Sequence, residues 1–204
     1  METKELILKK ALDMFAKSGY DSVSIRDIAK AVNIKESSIY YHFKNKQNIL
    51  DSLVEKFESH MKELTDMLQA AMSDLHDVNE FSWDWLREFY FEQYLFDTFC
   101  NQMMRFMMIE QFHNENMRML YARYLFELPY RIQTQSFMML GKLGILNEQQ
   151  AAKVGNDFFS NITMLTFKYL LNGELTKAKK EAFSEEAFTY INRMFREDGI
   201  CQTY

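Results

Sequence analysis

The sequence predicts an all-α protein, with a small N-terminal helix-turn-helix head followed by a larger helical body. Proline occurs once, at Pro129, and glycine six times in 204 residues, well below the roughly 5% and 7% of average proteins. Apolar residues recur at three- and four-residue spacings along most of the chain, and Ser, Asn or Asp precedes several of these stripes, as helix starts require. With 48% hydrophobic and 15% aromatic residues, the chain can bury a substantial core without staples. Cys100 and Cys201 lie far apart and form no Cys-x-x-Cys pair, so neither a disulfide framework nor a zinc finger is indicated, and a reducing cytoplasm is the expected compartment. No apolar run approaches the roughly 20 residues of a membrane span, and no membrane partner is expected.

The first helix is predicted over Thr3 to Ser18, with Leu8, Ala11, Leu12 and Phe15 on one face and Gly19 as its stop. Ser24 and Asp27 have the spacing of a capping box, starting a second helix near Ile25 that carries Ile28, Ala29 and Val32 inward. Asn33 tolerates the left-handed backbone of a tight turn, and a third helix covers roughly Glu36 to Phe43 with Ile39 and Phe43 facing the core. Asn45 caps a fourth, from Lys46 through Ile49, Leu50, Leu53, Phe57, Met61, Leu64 and Leu68 to about His76. Asp77 to Ser82 reads as a loop. Met- and aromatic-rich helices are then predicted from about Trp83 to Phe112 and from about Asn114 to Leu140, the latter kinked or divided by Pro129. Asn147 and Gln150 cap a helix to about Leu171, and a last one covers about Ser184 to Phe195.

Two short helices joined by a tight turn, Ser24–Val32 and Glu36–Phe43, meet the description of a helix-turn-helix. Such a unit lays its second helix in the major groove of DNA, N-terminal side chains toward base edges. Here those are Lys35, Glu36, Ser37 and Ser38. Tyr40, Tyr41 and His42 lie further along, where phosphates are in reach, and Lys46 adds positive charge at the first turn of the fourth helix. Residues 1–50 hold nine Lys and Arg against six Asp and Glu, a net of +3, which leaves −8 for the rest of a chain whose total is −5. A basic head on an acidic body fits a protein that meets polyanion only through its head.

The run from Ser24 to Lys46, Ser-Ile-Arg-Asp-Ile-Ala-Lys-Ala-Val-Asn-Ile-Lys-Glu-Ser-Ser-Ile-Tyr-Tyr-His-Phe-Lys-Asn-Lys, resembles the signature of the TetR family of bacterial transcription regulators. The likeness extends upstream through Ala11 to Tyr20 and downstream to Leu50, about a quarter of the chain. It implies a DNA-binding domain over 1–46 and an effector-binding and dimerisation domain over 47–204. It also implies flanking contacts from Ser24 and Arg26, base reading by Glu36, Ser37 and Ser38, groove-edge contacts from Tyr40, Tyr41 and His42, and a phosphate contact from Lys46. Two positions depart from the pattern: Asn33 stands where many members have Gly, and Lys35 stands where a Ser or Thr cap is usual.

The body is read through the same resemblance, which implies a pocket for a small, largely apolar effector and a two-fold homodimer on a palindromic DNA operator. Met61, Leu64, Phe89, Met103, Met107 and Phe137 are candidate pocket residues, since thioethers and aromatic rings line adaptable apolar sites. Glu88, Glu92 and Glu110 would select a cationic effector if they faced inward. The stripes of the last two long helices, including Phe158, Ile162, Leu165, Tyr169, Tyr190, Ile191 and Met194, are candidates for the dimer interface.

The expected function is therefore a ligand-responsive, DNA-binding repressor. The alternative is a helical sensor or protein-binding module of the same fold without specific DNA recognition, which the acidic Glu36 at a base-reading position keeps open. Catalysis is not expected, nor a metal or other cofactor. Glu110 and His113 make one Glu-x-x-His pair, half of what a di-iron bundle needs, and no phosphate-loop, dinucleotide, nucleophile-elbow or zinc-protease motif occurs.

Overall fold

The computed structural model describes residues 2–73, 87–142, 144 and 146–197, with the side chains at 72, 73, 87, 89 and 195–197 outside that description. The described chain is helical throughout, and no helix in it is long and apolar enough to cross a membrane. In order it forms α1 (Thr3–Ser18), α2 (Ile25–Val32), α3 (Glu36–His42), α4 (Lys46–Ser73), α5 (Arg87–Leu95), α6 (Thr98–Glu110), α7 (Glu115–Ala122), α8 (Leu128–Lys142), α9 (Glu148–Leu165) and α10 (Lys177–Glu197). Three stretches have the wider π register: α5 itself, Arg123–Glu127 between α7 and α8, and Thr166–Leu170 at the end of α9.

The chain divides into two compact units, the first comprising Met1–Asp66 with Gln102–Tyr121, the second Met67–Asn101 with Ala122–Tyr204. The first unit is thus larger than the 1–46 head expected from the sequence. Its core takes Ile7, Leu8, Ala11, Leu12 and Phe15 from α1, Ile28 and Ala29 from α2, and Ile39 from α3. Phe43, Ile49, Leu50, Leu53 and Phe57 fill the remainder, all of them buried. What extends it is α6: Phe106, fully buried, stacks on Phe15 with ring centroids 5.5 Å apart. Asp13 and the Ala16 carbonyl accept hydrogen bonds from Gln102 and Arg105.

In the second unit α8 packs along α9, and the contact is close because Gly155 has no side chain. A Cβ there would lie 3.3 Å from the Thr134 Cα and 3.5 Å from the Phe137 Cβ. Gly155→Ala is expected to lower stability by about 1 kcal/mol, the low end for overpacking because these distances are tight without being prohibitive; a thermal melt checks it. Elsewhere in this unit, Phe91, Phe96, Phe183 and Phe188 form an aromatic cluster between α5, the residue after it, and α10, with centroids 5.1 to 5.9 Å apart.

Several expectations shift. The helix predicted from Trp83 to Phe112 is two, separated at Phe96 and Asp97, and the Asp97 carboxylate accepts from the Cys100 N–H at 2.8 Å to start α6. The part of that prediction over 83–86, and the Asp77 to Ser82 loop, lie outside the described residues. Pro129 does not break its helix. The π turn just ahead of it absorbs the missing N–H and the steric demand of the ring. The last helix starts at Lys177, earlier than predicted, because Thr176 caps it through its hydroxyl to Lys179 N–H.

Candidate nucleic-acid interface

The helix-turn-helix is built as its residues dictate. Ser24 closes a reciprocal capping box: its hydroxyl accepts from the Asp27 N–H at 3.2 Å, and the Asp27 carboxylate accepts from the Ser24 N–H at 3.0 Å. The Ser24 hydroxyl also donates to the Asp27 carboxylate at 2.5 Å, and this bond, followed by that from the Ser24 N–H, holds the Asp27 carboxyl below its ordinary pKa. Asn33 ends α2 in the left-handed conformation (φ 61°, ψ 45°), its N–H turned back to the carbonyls of Ala29 and Lys30. The chain then enters α3 at once.

α3 is anchored by Ile39, fully buried, and by Phe43 just beyond it. Everything else on it faces outward. Lys35, Glu36 and Ser37 are exposed and Ser38 half-buried at its start; Lys35 offers no side-chain cap, as the departure from a Ser or Thr implied. Tyr41 is 86% exposed, a large apolar ring held in solvent, and its edge meets the His42 ring at 5.1 Å. Tyr40 and Arg26 are exposed as well. An exposed tyrosine pair beside polar residues on a short, rigidly seated helix offers hydrogen-bonding groups to a polyanion at little ordering cost.

Lys46, expected to contact phosphate, is also engaged within the head itself. Its ammonium donates to the Tyr20 carbonyl at 2.9 Å and the Val23 carbonyl at 3.0 Å, and lies 3.9 Å from the centroid of the Tyr20 ring. It therefore fastens the turn between α1 and α2 to the start of α4. The other side of the same turn is held by a residue for which sequence reasoning offered a different role. Glu110, at the end of α6 and buried, accepts the Tyr20 N–H at 2.8 Å. Gly19 permits that approach: its φ is +79°, and a Cβ would sit 2.9 Å from a Glu110 oxygen. Burial, followed by the charges of Asp51, Asp21 and Glu110, raises the Tyr20 phenol pKa. The sequence marked Glu110 through its Glu-x-x-His pair and as an acid ending a Met-rich helix, and neither signal points to Tyr20.

Residues 7–53 match the family described as bacterial regulatory proteins, tetR family. The head is of the TetR family. A stretch of 94 residues is 36% identical to the biofilm operon icaADBC HTH-type negative transcriptional regulator IcaR of Staphylococcus aureus (strain Newman), covering 46% of each chain. The chain thus spans about half the length of that curated relative. Solved structures share the fold far beyond the TetR-family head. A transcriptional regulator (TerR/AcrR family) from Aquifex aeolicus VF5 superposes with TM-score 0.61 at 20% identity over 93% of this chain and 99% of its own. A candidate transcriptional regulator from Saccharomonospora viridis in complex with choline gives 0.62 at 21% over 93% and 95%.

Outside the TetR-family head the expected sites fare differently. Met61, Leu64, Met103 and Met107 are buried in the first unit and Phe137 in the second, where it packs on Phe158, so one compact unit does not unite them. Phe89 lies outside the described side chains. Of the expected interface residues, Phe158, Ile162, Leu165, Ile191 and Met194 are buried within the single chain. The Tyr169 hydroxyl donates to Glu186 at 2.6 Å, and Tyr190 is half-buried. A three-and-four stripe shows that a helix has an apolar face, not what that face meets. The exposed large apolar side chains of α8 and α9 are instead Tyr130, Met138 and Met164. Glu88 and Glu92 are exposed, so neither faces inward.

Proposed function

We propose that this chain is a homodimeric transcriptional repressor that binds a palindromic operator in double-stranded DNA and is released by a small, largely apolar effector. The observation that carries this reading is α3 itself, a short helix seated by Ile39 and Phe43 that presents Glu36, Ser37, Tyr40 and Tyr41 outward within a TetR-family head. That a relative's name describes a negative regulator supports repression, and that a neighbour of the same fold is in complex with choline supports only that a small molecule can be the effector. Its work is binding without catalysis, in the cytoplasm. The outer faces of α8 and α9, with Tyr130, Met138 and Met164, supply apolar surface for a two-fold contact. Such a dimer sets two copies of α3 about 34 to 36 Å apart, one turn of DNA. Effector binding acts on the head through α6, whose Glu110 holds the turn that precedes α2. The coupling is reciprocal, so operator weakens effector binding by the same factor.

The test is selection of bound duplexes from a random DNA pool. Wild type is expected to enrich a palindrome. Tyr41→Ala should bind every enriched sequence at least tenfold more weakly, whereas Ser37→Ala should relax the preference at one position in each half-site. If wild type enriches nothing, the repressor reading is overturned in favour of a helical sensor or protein-binding module of this fold.

A further inference from the structure

The second unit buries few polar side chains: among its described residues they are Asn101, Gln133 and Thr166. Two of them have a structural task. The Thr166 hydroxyl donates to the Ile162 carbonyl at 2.8 Å, and the Asn101 amide donates to the Leu170 carbonyl at 2.9 Å, closing the π turn at the end of α9. The Asn101 carbonyl oxygen is unpartnered too, but its amide holds a backbone carbonyl; Gln133 holds none. It sits on the inward face of α8 with Pro129, Phe137 and Leu140, where an apolar residue would complete the stripe, and only 5% of it is exposed. Its amide N–H donates to the Tyr90 hydroxyl at 2.5 Å, while its carbonyl oxygen has no partner among the described residues. Exchanging the amide oxygen and nitrogen would leave one of the two atoms unpartnered all the same. Neither member of the pair holds a backbone group by this bond.

A buried amide with half its capacity unused is costly to folding, and proteins keep such groups where a function uses them. Tyr90 stands on α5, in the π register that recurs at functional sites. Its ring lies 5.9 Å from Phe91 and 5.8 Å from Tyr94, and burial holds its phenol in the neutral form. The pair thus offers an acceptor, the Gln133 carbonyl, and a donor, the Tyr90 O–H, beside the rings of Phe91 and Tyr94. No carboxylate or cation is among the described buried polar residues of this unit, and neither Gln133 nor Tyr90 supplies a counter-charge, so a charged ligand at this pair would be left unpaired, which is strongly unfavourable.

We propose that Gln133 and Tyr90 form the polar end of the effector site, and that the effector is a neutral, largely apolar molecule carrying a hydroxyl or amide group. This rests on the reading above that the body takes an effector. The test uses the full chain without DNA, so its failure is separable from failure to find an operator. Binding of 2-naphthol, naphthalene and 2-naphthoate is compared by equilibrium dialysis for wild type, Gln133→Leu and Tyr90→Phe. Wild type is expected to bind 2-naphthol at least tenfold more tightly than either of the others. Gln133→Leu should bring 2-naphthol and naphthalene to parity, and Tyr90→Phe, which keeps the ring, should narrow the gap even if the first variant does not fold. Failure of wild type to bind 2-naphthol, equal binding of 2-naphthol and naphthalene, tighter binding of 2-naphthoate, or an unchanged preference in a folded Gln133→Leu overturns the proposal.

Discussion

Replacing Phe106 with alanine is expected to destabilise the first unit by about 3 to 5 kcal/mol, the range for truncating a fully buried phenylalanine. The ring has no exposed surface and stacks on Phe15, itself fully buried, which in turn lies 5.4 Å from Tyr20. Removing it opens a cavity beneath the turn that leads into α2, where rigid helices on several sides limit collapse. Since whole domains are stable by about 5 to 15 kcal/mol, the variant should show a large drop in denaturant midpoint. Phe112→Ala serves as the control: that side chain is 83% exposed, and its loss should change stability by no more than about 0.5 kcal/mol. Similar midpoints for the two variants would show that α6 is not part of this core.

The second large effect is expected at Lys46. Lys46→Met keeps most of the aliphatic stem and removes the ammonium that binds the Tyr20 and Val23 carbonyls. Hydrogen bonds to a charged donor contribute about 1.5 to 3 kcal/mol each. Because Lys46 is half-exposed and water can replace part of what is lost, the total should be about 2 to 3 kcal/mol. The salt dependence of DNA binding separates this role from a phosphate contact. A lost phosphate contact lowers the slope of log affinity against log salt by about one. A lysine acting through the turn lowers affinity and melting temperature and leaves the slope at its wild-type value, which is the expected result.

The head was largely legible in the sequence because its determinants are local. Ser24 with Asp27, Asn33 and the Ile39–Phe43 pair each fix conformation within a few residues, and the structure forms the capping box, the left-handed turn and the inward pair they imply. The part Lys46 plays within the head was not legible, because the carbonyls that hold it lie 26 and 23 residues away. Glu110 was further out of reach: its partner is the Tyr20 N–H, a group every residue but proline carries and no pattern distinguishes. In the body, periodicity identified the helices but not what their faces meet, since Phe158 or Ile191 reads alike whether a neighbouring helix or a second chain covers it. The π turns left no signal except around Pro129, where a residue without an N–H requires some local accommodation.

The discontinuity of the first unit bears on how such proteins can be recombined. A designer joining this recognition helix to a foreign sensor would naturally cut after the matched segment, near residue 53. That cut discards Gln102, Arg105, Phe106 and Glu110, which close the far wall of the same unit. The helix-turn-helix head is therefore not a portable cassette. A working chimera has to transplant residues 102–121 with it, or choose a recipient whose corresponding helix already carries an aromatic ring and a carboxylate at those places.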